Sequence, residues 1–104
     1  MVTEKGVIMY GTIFNLKVRE GHQKQLLEEI KLENNHPKGM LAWFLMTPDD
    51  KTLDWIGVAV FESKKAHINN SNRPEQNELF NKMMQHLEEE PKWTDGEYSI
   101  GEVI

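Results

Sequence analysis

The sequence predicts an α+β fold of order β-α-β-β-α-β, a four-stranded antiparallel sheet with two helices packed on one face. Two kinds of signal carry this reading. Three apolar, β-branched and aromatic stretches have strand length, a fourth stretch at 94–104 alternates, and two of the intervening stretches show helical spacing. Gly, Pro, Asn or Asp punctuates most of the boundaries. No internal repeat or low-complexity linker divides the 104 residues, so we read a single domain over 1–104.

The first strand is Val7–Val18, "VIMYGTIFNLKV". Ile8, Tyr10, Thr12, Phe14, Leu16 and Val18 share one face, and Val7, Met9, Gly11 and Ile13 share the other. Gly21 ends it. In "REGHQKQLLEEIKLENN" the spacing of Leu26, Leu27 and Ile30 predicts an amphipathic helix, which "HPKG" stops because Pro37 disfavours helical geometry at His36. Residues 39–47, "GMLAWFLMT", predict the second strand, 48–51 a turn, and 52–62, "TLDWIGVAVFE", a third strand that returns as a hairpin. Ser63 is placed to cap a short helix over Lys64–Asn70. After "NNSNRPEQ", Asn72 with Pro74 and Glu75 signals a helical restart, whose apolar face is Leu79, Phe80, Met83, Met84 and Leu87. Residues 94–104 alternate as a last strand.

The two halves mirror each other as βαβ units, and right-handed crossovers between them give a ferredoxin-like sheet. Two helices cover only one sheet face. The other face is also apolar, with Val58 and Val60 on the third strand, and left bare it exceeds what a monomer tolerates. The expectation is a homodimer through the sheet face.

Twelve basic against seventeen acidic residues give a net charge of -5, with no basic cluster. Nucleic acid and anionic membranes are therefore not expected partners. Cysteine is absent, which removes disulfides, thiolate catalysis and Cys-based metal sites. The N-terminal apolar stretch is short and broken, unlike a signal peptide, and a cytoplasmic location is expected.

"KVREG" closes a long first strand, "HPKGMLAWF" is a Pro-x-Gly turn before an aromatic strand, and "VFESKKAH" is a strand-to-helix junction. With the ending "EPKWTDGEYSIGEV", this pattern, over about residues 8–103, resembles the antibiotic biosynthesis monooxygenase family of dimeric α+β barrels. It implies a cofactor-free monooxygenase acting on a small aromatic or hydroquinone-like molecule. The alternative is a non-catalytic dimeric module that binds a small apolar ligand. In the heme-degrading relatives an Asn, a Trp and a following His are used. Here Phe14 and Asn70 stand near the first two positions and no His follows at the right distance, so heme chemistry is not implied.

In the oxygenase reading His67 is the base and Asn70, three residues on, holds the oxyanion. The other use of His67 is as an exposed residue beside Lys64 and Lys65. Trp43, Trp55 and Tyr10 are candidate pocket walls, or else core and interface filling. Arg73, in the helix break, is placed to reach an anionic group. Asn15, a polar side chain in an apolar strand, is a candidate to point into the pocket. His86 borders the apolar helix face and reads as a half-buried side chain with a backbone partner, or as the second choice of base. His22 and His36 read as solvated, and without HxxxH or HxH spacing no metal site is expected. Glu28-Glu29 and Glu88–Glu90 read as solvated helix faces.

Overall fold

Alternating apolar residues at strand length produce a sheet in the computed structural model, which describes residues 9–32, 36–102 and 104. The elements are β1 (Met9–Leu16), α1 (Gln23–Leu32), β2 (Met40–Met46), β3 (Trp55–Phe61), α2 (Lys64–Ser71), α3 (Pro74–Met84) and β4 (Trp93–Tyr98). The strands form one antiparallel sheet in the order β2-β3-β1-β4, with the helices on one face. This is the ferredoxin-like arrangement, in which each βαβ crossover skips one strand. Among the described residues no helix is long and apolar enough to cross a membrane.

Register decides which side chains share a face. Tyr10, Thr12, Phe14 and Leu16 of β1 stand opposite Phe61, Ala59, Gly57 and Trp55 of β3. This set faces the helices. On β2 a register shift lies between Met40, paired with Phe61, and Ala42, paired with Val60, so Leu41 is the extra residue. This bulge flips everything after it. Trp43 and Leu45 thereby join the helix-bearing face, opposite Ala59 and Gly57, while Phe44 and Met46 go to the open face.

The main core is Leu16, Leu26, Met83 and Leu87, drawn from β1, α1, α3 and the segment after α3, with Phe14, Ile30, Trp55 and Leu79 packed around it. A smaller cluster of Ala59, Phe61 and Ala66 seats α2 on the sheet. Gly39, at φ 86°, permits that seating: a Cβ there would stand 2.7 Å from the Cβ of Ala66.

Several boundaries differ from the sequence expectation. Val7 and Ile8 of the first strand and residues 33–35 of the first helix lie outside the described residues. Val18 forms only an isolated bridge to Leu87, flanked by Glu88 N–H donating to Lys17 O at 2.8 Å. The third strand starts at Trp55 rather than residue 52, because the Asp50 carboxylate accepts from Thr52 N–H (2.9 Å) and Thr52 Oγ1 (2.6 Å) and keeps 50–53 in the turn. Those bonds also hold the Asp50 pKa below its ordinary value, the side-chain bond first. Arg73, not Asn72, occupies the N-cap of α3, with Pro74 in its first turn. Asn72 instead closes α2, its N–H directed at Asn69 O and Asn70 O. The last strand stops at Tyr98, paired with Met9, and Ile100 is exposed.

Candidate functional site

The face that carries Thr12, Trp43 and Ala59 is not fully covered, because α2 and α3 are short and meet at a break. Beneath them lies a cavity of about 450 Å³, within the ~300–1,000 Å³ usual for small-molecule sites. Thr12 and Phe14 of β1, Ala59 of β3, Trp43 and Leu45 of β2 and Trp93 of β4 form its floor. Leu79, Phe80 and Met83 of α3 and Ile30 of α1 wall it with apolar surface. Phe14 lies 4.7 Å from Trp93 between ring centroids, and its ring fills the space a side chain at Gly57 would occupy. Gly57 therefore serves a close approach of Phe14 to the sheet.

The polar groups come from α2 and the break after it. His67, Asn70 and Arg73 all line the cavity. Ser63 fixes the start of α2, its Oγ accepting from Ala66 N–H at 3.1 Å, so His67 and Asn70 follow within the first two turns on the sheet side. The His67 imidazole stands between the rings of Tyr10 (5.5 Å) and Phe61 (5.2 Å). Asn70 is buried, and its oxygen accepts from the Arg73 guanidinium at 2.9 Å. That bond turns the amide NH₂ into the group left for a ligand. Arg73 also lies 3.7 Å from the exposed Glu75 carboxylate.

Four other candidates stand elsewhere. Trp55 is not in the cavity lining; it packs on the main core beside Leu16. Tyr10 backs His67 without lining the cavity, with Lys64 Nζ 5.9 Å from its ring centre. Asn15 alternates to the opposite sheet face from Phe14, where its Nδ2 donates to Asp54 at 2.6 Å and its Oδ1 accepts from Lys92 N–H at 2.8 Å. It ties β1 to the residues just before β3 and β4 and does not reach the cavity. His86 is buried away from the cavity, and its partners are side chains: Glu29 at 3.0 Å from Nε2 and His22 at 3.0 Å from Nδ1. His22 and Glu29, expected to be solvated, are thus half-buried members of a chain that fastens α1 to the end of α3. Exposed His36 lines the cavity too. Among the described residues no group of three or more His, Asp or Glu is arranged to hold a metal ion.

Thr12 was not among the candidates. Its only signal in the sequence is position: it shares a strand face with Tyr10, and a threonine does not advertise a binding role.

No protein-family model matches the sequence, and no curated protein does. Solved structures do match. A monooxygenase from Streptomyces coelicolor, in complex with the ligand nanaomycin D, aligns with a TM-score of 0.74 at 18% identity, over 93% of this chain and 92% of that one. A Bordetella bronchiseptica protein provisionally assigned to the antibiotic biosynthesis monooxygenases gives 0.76 at 13% identity, over 93% and 99%. The chain has the fold of the antibiotic biosynthesis monooxygenases. A conserved protein from Methanosarcina mazei gives 0.76 at 9% identity, over 86% and 92%, so this monooxygenase-type fold is also found without a stated activity.

Proposed function

We propose that the chain is a cofactor-independent monooxygenase that oxidises a small phenolic aromatic of the hydroquinone or anthrone type. The observation that carries this reading is the grouping of His67, Asn70 and Arg73 on one wall of a cavity floored by Phe14, Trp43 and Trp93. A flat aromatic body stacks on the floor. Neutral His67 takes the phenolic proton, and the Asn70 amide and Arg73 guanidinium stabilise the phenolate oxygen. The electron-rich phenolate then supplies the electrons for O₂ reduction. In an anthrone one oxygen atom bonds to the methylene carbon, whose two C–H bonds break to give C=O; in a phenol or hydroquinone it bonds to a ring carbon, and that carbon's one C–H and an O–H break to give the quinone. In either case the other oxygen leaves with both hydrogens as water. The substrate is the only reductant, so atoms and electrons balance. A second copy covering the open sheet face completes the proposed assembly.

The non-catalytic reading has its own observation. Packing between Tyr10 and Phe61 gives His67 a structural use without proton transfer. O₂ uptake by the purified protein with a panel of hydroquinones and anthrones, beside His67→Ala, separates the two. A catalytic base gives a loss on the order of 10²-fold in the variant. Uptake that survives the substitution removes His67 from the mechanism, and no uptake by the unaltered protein favours the binding module.

A further inference from the structure

Thr12 lies in the middle of β1, 4% exposed, with Ala59 beside it on β3 and Asp95 beside it on β4. Its side chain lines the cavity floor. Among the described residues its Oγ1 is the one buried side-chain polar atom without a hydrogen-bond partner. Leaving such a hydroxyl unpaired costs about 1–3 kcal/mol, and valine would fill the same volume without that cost. The strand is well placed to hold a hydroxyl in position. Thr12 pairs with both neighbouring strands, and its carbonyl oxygen accepts from the Tyr98 hydroxyl at 3.2 Å on the far side of the sheet. Ala59, the smallest side chain on this part of the floor, leaves room above it. Rotation about χ1 exchanges the hydroxyl and methyl between staggered positions, so Thr12 can turn its O–H toward an occupant.

We infer that Thr12 is a recognition residue for an oxygen substituent, a hydroxyl or carbonyl, on the edge of an aromatic ligand that rests on the sheet floor. This deepens the proposed function and rests on its reading of the cavity as an aromatic site. The ligand class is an aromatic with at least two oxygen functions: one held at the floor by Thr12, the other at the helix break by Asn70 and Arg73. A hydrocarbon of the same outline fills the cavity but leaves the threonine unpaired.

The test titrates 1,5-dihydroxynaphthalene and 1-naphthol separately into the protein and reads quenching of tryptophan fluorescence, with Thr12→Val and Thr12→Ser beside the unaltered chain. The single oxygen of 1-naphthol goes to Asn70 and Arg73, and the second oxygen of the diol adds the bond to Thr12, which gives a preference for the diol of about tenfold. Thr12→Val is expected to erase that preference, to leave 1-naphthol binding unchanged and to melt no lower than the unaltered protein. Thr12→Ser keeps the preference. An undiminished diol preference in Thr12→Val overturns the role of Thr12 and leaves the cavity reading standing. A lower melting temperature for Thr12→Val overturns it as well, because the hydroxyl is then structural. Failure of both probes to bind the unaltered protein overturns the aromatic site and this inference together. Absence of O₂ uptake alongside an intact diol preference overturns only the monooxygenase reading.

Discussion

At Gly11 a Cβ would come within 2.8 Å of the Tyr98 ring, so the missing side chain is what lets that ring cross β1 on the open face of the sheet. The crossing delivers the Tyr98 hydroxyl to Ala59 O at 2.9 Å and Thr12 O at 3.2 Å, one proton shared between two strands. Replacing Tyr98 by Phe should cost about 1 kcal/mol, measured by urea unfolding. Burial raises the Tyr98 pKa above its ordinary value of 10.0. The folded protein therefore holds the phenolic proton to higher pH than the unfolded chain does. The stabilisation it brings is complete below the unfolded pKa and shrinks as pH rises through and beyond about 10. The stability margin of the unaltered protein over Tyr98→Phe should accordingly be flat up to about pH 9 and narrow above it. A margin that widens in alkali would contradict the placement of the hydroxyl. None of this is readable from "TDGEYSIG", because it depends on a glycine some ninety residues away in the chain. The same holds for Thr12, whose importance lies in what fails to pair with it. Arg73 is different: Pro74 announces the break that puts it beside Asn70, and that signal is local.

At the scale of elements, α2 is short and weakly amphipathic, with Ala66 and Asn70 as its buried contacts one turn apart. Isolated helices of this length do not persist, so its ends matter more than its sequence propensity. Ser63 supplies the N-terminal one, accepting from Ala66 N–H with its Oγ while its carbonyl accepts from His67 N–H at 3.2 Å. Ser63→Ala should destabilise the protein by about 1 kcal/mol in denaturant unfolding, and Ser63→Asp should restore most of that. Equal stability of all three proteins would show that α2 is held by its packing alone. The cap was legible because a hydroxyl residue followed by helix formers is a local pattern. The β2 bulge was not. "GMLAWFLMT" is apolar at every position from Met40 to Met46, so no alternation marks the one at which the faces exchange. Only pairing with β3 reveals that Leu41 is the extra residue and that Trp43 rather than Phe44 looks into the cavity. Topology was readable because it needs only the order and length of elements. The lining of β2 was not, because it hangs on a single residue of register.

For the whole molecule, the consequence of that register is an apolar surface on the face without helices. Ile13 and Ile56 are exposed there, with Phe44 66% and Met46 60% exposed on β2 and Val58 between the strands. These side chains are contiguous through the β1–β3 and β3–β2 pairings, and scattered exposure would not produce such a patch. A second copy of the chain offers the same apolar face, and a two-fold contact satisfies both at once. The unaltered protein should therefore sediment at twice the chain mass at micromolar concentration. Ile13→Lys together with Phe44→Lys should halve that mass while leaving the far-ultraviolet circular dichroism unchanged, since both side chains project away from the core. Charge placed on an apolar interface costs several kcal/mol through burial without a partner, enough to shift a micromolar dimer to monomer. If the pair of substitutions lowered the melting temperature equally in dilute and concentrated samples, these residues would be serving the fold of each chain. A melting temperature that rises with concentration in the unaltered protein and loses that dependence in the variant would tie stability to association. In a chain whose main core is built around four fully or nearly buried side chains, the burial added by the proposed dimer would be a substantial part of what keeps the sheet, and the cavity on its other face, in place.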